Sequence, residues 1–390
     1  MESTSRFLVN KFMTDIFQQL AGNYETGGMA AALETAADTL RKQQRYHELF
    51  EVLKMQTRQN LNLPLLYDDA AKLSEEQQRL LEDALLEACA DVGFSLMRAG
   101  QVQESWGYLK HLTDHDSVLA ELNKLEVTDD NLESVIGLLL YEGLDCDRGY
   151  QLVLEKYGTC NAITTIQNAM YGRSRKDRRA TGRRLVKHVH KELLESVKSH
   201  IQREEDKAPE SDRLVELMEG RDFLFADGSY HIDTSHLGST VQIAIELVDR
   251  EALELALDLA NYGLHLHPEL QYPSSAPFEE TYPSHVKFYS ALLGQDMDGS
   301  LQYFRNRAEK TDAHQEGTLA IETYVDLLAR VGRPADAIEA VVSLIPAGIQ
   351  TTGRAPSLFE LSQQLGDFKR YRELCIERED LLGFVAGLDK

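Results

Sequence analysis

The chain has 390 residues, is 43% hydrophobic, and carries 41 Lys and Arg against 64 Asp and Glu, a formal charge of −23. A chain this long and apolar buries a large core, as two ordinary domains or one extended helical-repeat body, and its acidity disfavours nucleic acid and anionic membrane surfaces as partners. Its four cysteines (Cys89, Cys146, Cys160, Cys375) lie far apart with no Cys-x-x-Cys, which points away from a disulfide framework or thiolate zinc knot and towards a reducing, cytoplasmic setting.

Residues 1–20 place charges among the apolar positions, so an export segment is not expected there, and nowhere do eighteen apolar residues run together. Apolar residues then recur at intervals of three and four almost throughout. Leu80, Leu81, Ala84, Leu85, Ala88 and Val92 form one wide helical stripe, Ser74 with Gln77 predicts a capping-box start, and Gly100 predicts the stop. Met97 and Trp106 follow the same spacing and are expected in the core. Strand signals are nearly absent, so the fold class is all-α, and short connectors make neighbouring helices antiparallel.

Two segments break this pattern. Residues 172–191, GRSRKDRRATGRRLVKHVHK, hold nine Lys or Arg against one acid, Asp177. They read either as a docking face for an acidic partner, phosphates or the acidic surface of a second copy, or as a solvated helix face that offsets the protein's own negative field. SRKDRRATGRR lacks apolar anchors and reads as a mobile loop, and His188 and His190 as surface residues. The second break is RDFLFADGSYHIDTSHL (221–237). Here Asp227-Gly228 is a hairpin-type turn, which predicts a short β-hairpin near 222–233.

Six of the twelve histidines fall between His231 and His314. If the helices run up and down, residues 231, 233, 236, 265, 267, 285, 314 and 316 gather at one rim, under a long loop (268–284) that reads as a lid. Imidazole and carboxylate together suit a divalent metal: Zn, Fe, Mn or Ni. The expected ligands are His231, Asp233, His236, His265, His267 and His285, with Glu279, Glu280 and Tyr282 as groups that would move a proton beside a metal-bound water. No nucleotide-binding glycine loop occurs, so no nucleotide cofactor is expected.

The stretch LLARVGRPADAIEAVVSLIP (327–346) resembles a tetratricopeptide repeat, with Gly332 at the inter-helix turn and Ala337 where the two helices cross. FSLMRAGQVQESWGYLKHL (94–112) is similar through Gly100 and Ser105. LFELSQQLGDFKRYRELC (358–375) has Gly366 but departs from the pattern at Tyr371. The resemblance implies an antiparallel helix-pair solenoid with a groove that receives a peptide or protein. The expected organisation is a helical region of this type at 1–171, a basic helix and connector at 172–220, a His-rich segment at 221–316 and further helix pairs at 317–390. Two functions stay open: a metal-dependent enzyme, hydrolytic or oxidative, acting on a small molecule or peptide, and a non-enzymatic scaffold that binds a protein partner through its groove.

Overall fold

The computed structural model describes residues 2–66, 73–170 and 172–388, with residues 2–14 by backbone alone. Among the described residues there is no strand, and no helix is long and apolar enough to cross a membrane. The chain divides into two compact units, Met1–Gly149 and Tyr150–Lys390. The boundary expected at 171 falls on a residue outside those described.

The first unit contains α1 (Glu2–Lys42), which breaks at Gly28, α2 (Tyr46–Asn60), α3 (Glu75–Arg98), α4 (Val102–Leu109), α5 (His115–Leu122), α6 (Leu132–Ile136) and a π-helical turn at Gly137–Tyr141. Helices α1, α2, α3 and α4 pack each on the next, around Ala37, Leu49, Val92 and Leu96. Ser74 and Gln77 cap α3 reciprocally as their spacing predicts, and Met97 and Trp106 are buried.

Helix α7 (Cys146–Ala169) crosses the boundary between the units and breaks at Gly158. The second unit is then organised around α8 (Arg175–Glu205), whose Thr181, Leu185, Val189, Leu193, Val197 and Ile201 are buried at a constant interval of four. That stripe receives α9 (Leu214–Met218), α10 (Thr234–Ile243), the 3₁₀ turn Ala244–Glu246 and α11 (Arg250–Leu264). SRKDRRATGRR is therefore regular: Ser174 accepts the Asp177 N–H as an N-cap, and the basic run forms the opening turns of α8. Its polar residues are compatible with a helix because only one side is covered. His190 is buried and 3.4 Å from Asp258 of α11, so it is not the surface residue expected.

From α11 the chain runs through α12 (Thr281–Leu292), α13 (Met297–Lys310), α14 (Leu319–Arg330), α15 (Pro334–Leu344), α16 (Leu358–Leu365), α17 (Lys369–Glu377) and α18 (Leu381–Leu388), each packing on the next. At the α11–α12 contact a Cβ on Gly263 would lie 2.2 Å from the Tyr282 ring, so only glycine admits that approach. Gly332 turns α14 into α15 at φ 81°, and Ala337 is fully buried.

The hairpin expected at 222–233 is absent. Asp227-Gly228 does turn, with φ of 55° and 75°, but Asp222–Gly228 coils as a 3₁₀ segment. An isolated two-stranded ribbon has little stability, and here Leu224 is buried and Phe225 stacks against Tyr262 and His265 instead of pairing with a second strand.

One buried carboxylate ties the later helices together. Glu322 of α14 is 1% exposed and accepts from the Thr318 hydroxyl at 2.6 Å and from the backbone N–H groups of Thr352, Arg354 and Ala355 at 2.7, 2.9 and 3.4 Å. Removing it strands those donors, and Glu322→Ala is expected to lower unfolding stability by about 3 kcal/mol, with Glu322→Gln intermediate. Urea denaturation measures this; an unchanged midpoint in Glu322→Ala would show that the clasp does not hold the loop.

Candidate functional site: an arginine-lined cavity

The histidines of 231–314 enter the fold in separate roles. The His231 backbone N–H donates to the Tyr262 hydroxyl at 2.9 Å, and the same hydroxyl lies 2.8 Å from His231 Nδ1. Since that oxygen already accepts one N–H and has no other acceptor among the described residues, its O–H donates to Nδ1. His231 Nε2–H then donates to His200 Nδ1, 2.8 Å away. Burial, followed by the charges of His200 and Arg203, holds the His231 imidazole down at about 4.

Asp233 is the N-cap of α10, where it accepts from the N–H groups of Ser235 and His236; the Ser235 hydroxyl is the main cause of its lowered pKa. His236 sits half-buried in the first turn of that helix. His265 is exposed and stacked on Phe225, and His267 caps the turn Pro268–Leu270. His285 is 1% exposed and stacked on Phe278; its Nδ1–H donates to the Thr281 carbonyl at 2.6 Å, and its Nε2 has no partner. Burial is again the main reason its pKa falls to about 4.

Glu279 and Glu280 are exposed and flank Arg307 at 3.4 and 3.8 Å, while Tyr282 is buried against Gly263. Glu279 and Glu316 share a cavity of ≈ 420 Å³ with Arg307 and Lys310. The 268–284 loop is tied down by Gln271 to the Leu266 carbonyl, Thr281 to the Tyr272 carbonyl and Arg307 to the Pro277 carbonyl. The structure thus brings together His231, His200, Tyr262 and, through Phe225, His265, and leaves the other expected residues dispersed. Among the described residues no three His, Cys, Asp or Glu are disposed to hold a metal ion. His200 and Tyr262 carry no spacing relation to His231 and were not legible.

A different feature concentrates charge. A cavity of ≈ 550 Å³ in the second unit is lined by Arg175, Arg178 and Arg179 from the start of α8, Arg330 from the end of α14, and Arg354 from the loop held by Glu322. Two carboxylates face them, and both are engaged. Glu246 pairs with Arg178 at 2.8 Å, and Asp326 with Arg330 at 3.3 Å. Arg330 also donates to the Ile245 and Leu247 carbonyls.

Three guanidiniums are left with no carboxylate in ion-pair range among the described residues. Arg175 donates to the Gly353 carbonyl at 3.2 Å, and Arg179 to the Glu246 carbonyl at 3.0 Å. The Arg354 side chain makes no hydrogen bond or ion pair with any described residue, and its Nε is shut off from solvent. Burial first, then the like charges of Arg330 and Arg175, lower the pKa of Arg179; burial likewise lowers those of Arg330 and Arg354. A buried guanidinium N–H without an acceptor is rare, because the donor loses water and gains nothing in exchange.

The two buried imidazoles set a sign for pH dependence. Their native values near 4 lie below the 6.5 of an unfolded histidine, so the unfolded chain binds more protons between those limits. Their contribution to stability is complete above about pH 6.5 and is lost as pH falls towards 4. Urea midpoints are expected to drop from pH 7 to pH 5, and His285→Leu to flatten that slope by up to about 1.4 kcal/mol per pH unit. An unaltered slope in His285→Leu would show that His285 does not titrate between the two states.

The chain matches no protein-family model, no curated protein and no solved structure.

Proposed function

We propose that this protein is an all-helical binding protein for a phosphate-bearing small molecule, held in the arginine-lined cavity of its second unit. The observation that carries the reading is the half-buried guanidinium of Arg354, whose Nε is shut off from solvent with no acceptor among the described residues, set beside Arg175 and Arg179 in a protein whose overall charge is −23. Guanidinium donors are disposed in planar forks that match phosphate oxygens, and charge-assisted bonds of this kind are roughly twice as strong as neutral ones. Both carboxylates of the lining are committed to arginines, which favours binding over acid–base turnover. In this reading the helix pairs at Gly100/Ser105 and Gly332/Ala337 serve as a tetratricopeptide-like frame, and the basic start of α8 is spent on a ligand and not on a protein surface.

Calorimetric titration with pyrophosphate at low ionic strength tests the proposal. Wild-type protein is expected to bind at one site, with affinity falling as salt is added. Arg354→Ala is expected to weaken binding at least ~10-fold, the loss of one charge-assisted bond, while Arg183→Ala, an exposed arginine outside the cavity, leaves it unchanged. Absence of binding in the wild type, or equal binding in wild type and Arg354→Ala, would overturn the reading.

A divalent-metal site is the second reading, and one contact favours it: the ring nitrogens of His200 and His231 face one another at 2.8 Å. A Zn, Fe, Mn or Ni ion between them would replace that hydrogen bond and draw further ligands from solvent or substrate. Elemental analysis of untagged protein decides it. About one equivalent of metal that disappears in His231→Ala supports the site; protein that is metal-free and takes up none of these ions removes it.

A further inference from the structure

The arginine cavity adjoins an apolar compartment. A second hollow of ≈ 240 Å³ shares Met170, Arg178, Ile245, Glu246 and Arg354 with the first and adds Ile166, Gln167, Gln242 and Ile243. Ile166, Ile243 and Ile245 are only half-buried although they line a concave surface, so apolar area faces the hollow without protein cover. Arg354 lines both hollows, and its Nε has no acceptor among the described residues. The second hollow therefore adds apolar surface to the arginine cavity: Ile166 and Ile243 extend the wall that Met170 and Ile245 share with it, and the Arg178–Glu246 pair and Arg354 stand where the two meet.

Resting on the phosphate reading above, we propose that the ligand is an amphipathic phosphate monoester, with its phosphate among Arg175, Arg179 and Arg354 and a short alkyl or single-ring ester group against Ile166, Met170, Ile243 and Ile245. Small-molecule sites combine this kind of apolar lining with a few convergent polar groups, the apolar part supplying affinity and the polar part orientation. A soluble ester fits better than a membrane lipid. The compartment holds only ≈ 240 Å³, and a protein of charge −23 is repelled by the anionic bilayers that would present such a headgroup.

The test is a calorimetric series of inorganic phosphate, methyl, butyl and hexyl phosphate and phenyl phosphate, with butanol as the uncharged control. Affinity is expected to rise about three- to fourfold per buried methylene until the compartment is full, and butanol alone is expected not to bind. Ile166→Gln is expected to abolish the rise while leaving inorganic phosphate binding intact, which separates the apolar compartment from the arginines. Inorganic phosphate that binds with no gain along the series overturns this inference alone. Failure of every phosphate overturns the phosphate reading with it. Capture of the protein by vesicles containing phosphatidic acid, without binding of free hexyl phosphate, would show that the ligand is a bilayer lipid and contradict the soluble ester.

Discussion

The second unit depends on a carboxylate that has been taken out of water. Burying an ionised side chain is costly unless its oxygens are fully engaged, and Glu322 meets that condition with four donors, three of them backbone N–H groups from the Thr352–Ala355 loop. The arrangement solves two problems together. It satisfies the backbone of an irregular loop that covers helix α14, and it fixes the point from which the Arg354 side chain departs.

From that point the electrostatics follow. Glu322 spends its hydrogen bonds on backbone donors and the Thr318 hydroxyl, so it acts on the Arg354 guanidinium only through space, and the Arg354 side chain makes no hydrogen bond with any described residue. Arg330 is occupied by Asp326 and two carbonyls, and Arg178 by Glu246. The cavity thereby divides its arginines into a pair held by carboxylates and a trio that is not: Arg175 and Arg179 each donate to a carbonyl, and the Arg354 Nε has no acceptor among the described residues. In a partly desolvated site an unshielded positive charge acts on an anion more strongly than it would in water. The chain as a whole carries a charge of −23, so a cavity lined by five arginines and two carboxylates is a local reversal of sign.

The helical character of the chain, the α3 capping box, the burial of Met97, Trp106 and Ala337 and the Gly332 turn were legible, because each rests on neighbours within five residues. The β-hairpin at 222–233 was misread for a physical reason. Asp-Gly specifies a turn whatever flanks it, and the fate of Phe225 was decided by Tyr262 and His265, some forty residues away. The same limit applied to the sites. A dense local run of histidines drew attention, yet their partners His200 and Tyr262 come from other helices. The arginine cavity was half visible: the run at 173–184 marked an excess of positive charge, but the residues that turn it into a cavity, Arg330 and Arg354, lie about 150 to 180 positions later in unremarkable surroundings. Nothing in local spacing announces that an arginine Nε will end up buried without an acceptor.

The phosphate reading requires that the buried, unpartnered Nε–H of Arg354 serve as a donor to an anion. Arginine side-chain NMR reads it most directly, with the Arg354 Nε–H signal assigned by comparison with Arg354→Lys. The account predicts a slowly exchanging Nε–H in the free protein that shifts in a saturable way as inorganic phosphate is added. A fast-exchanging signal, or one that stays still while phosphate binds elsewhere or not at all, would contradict it.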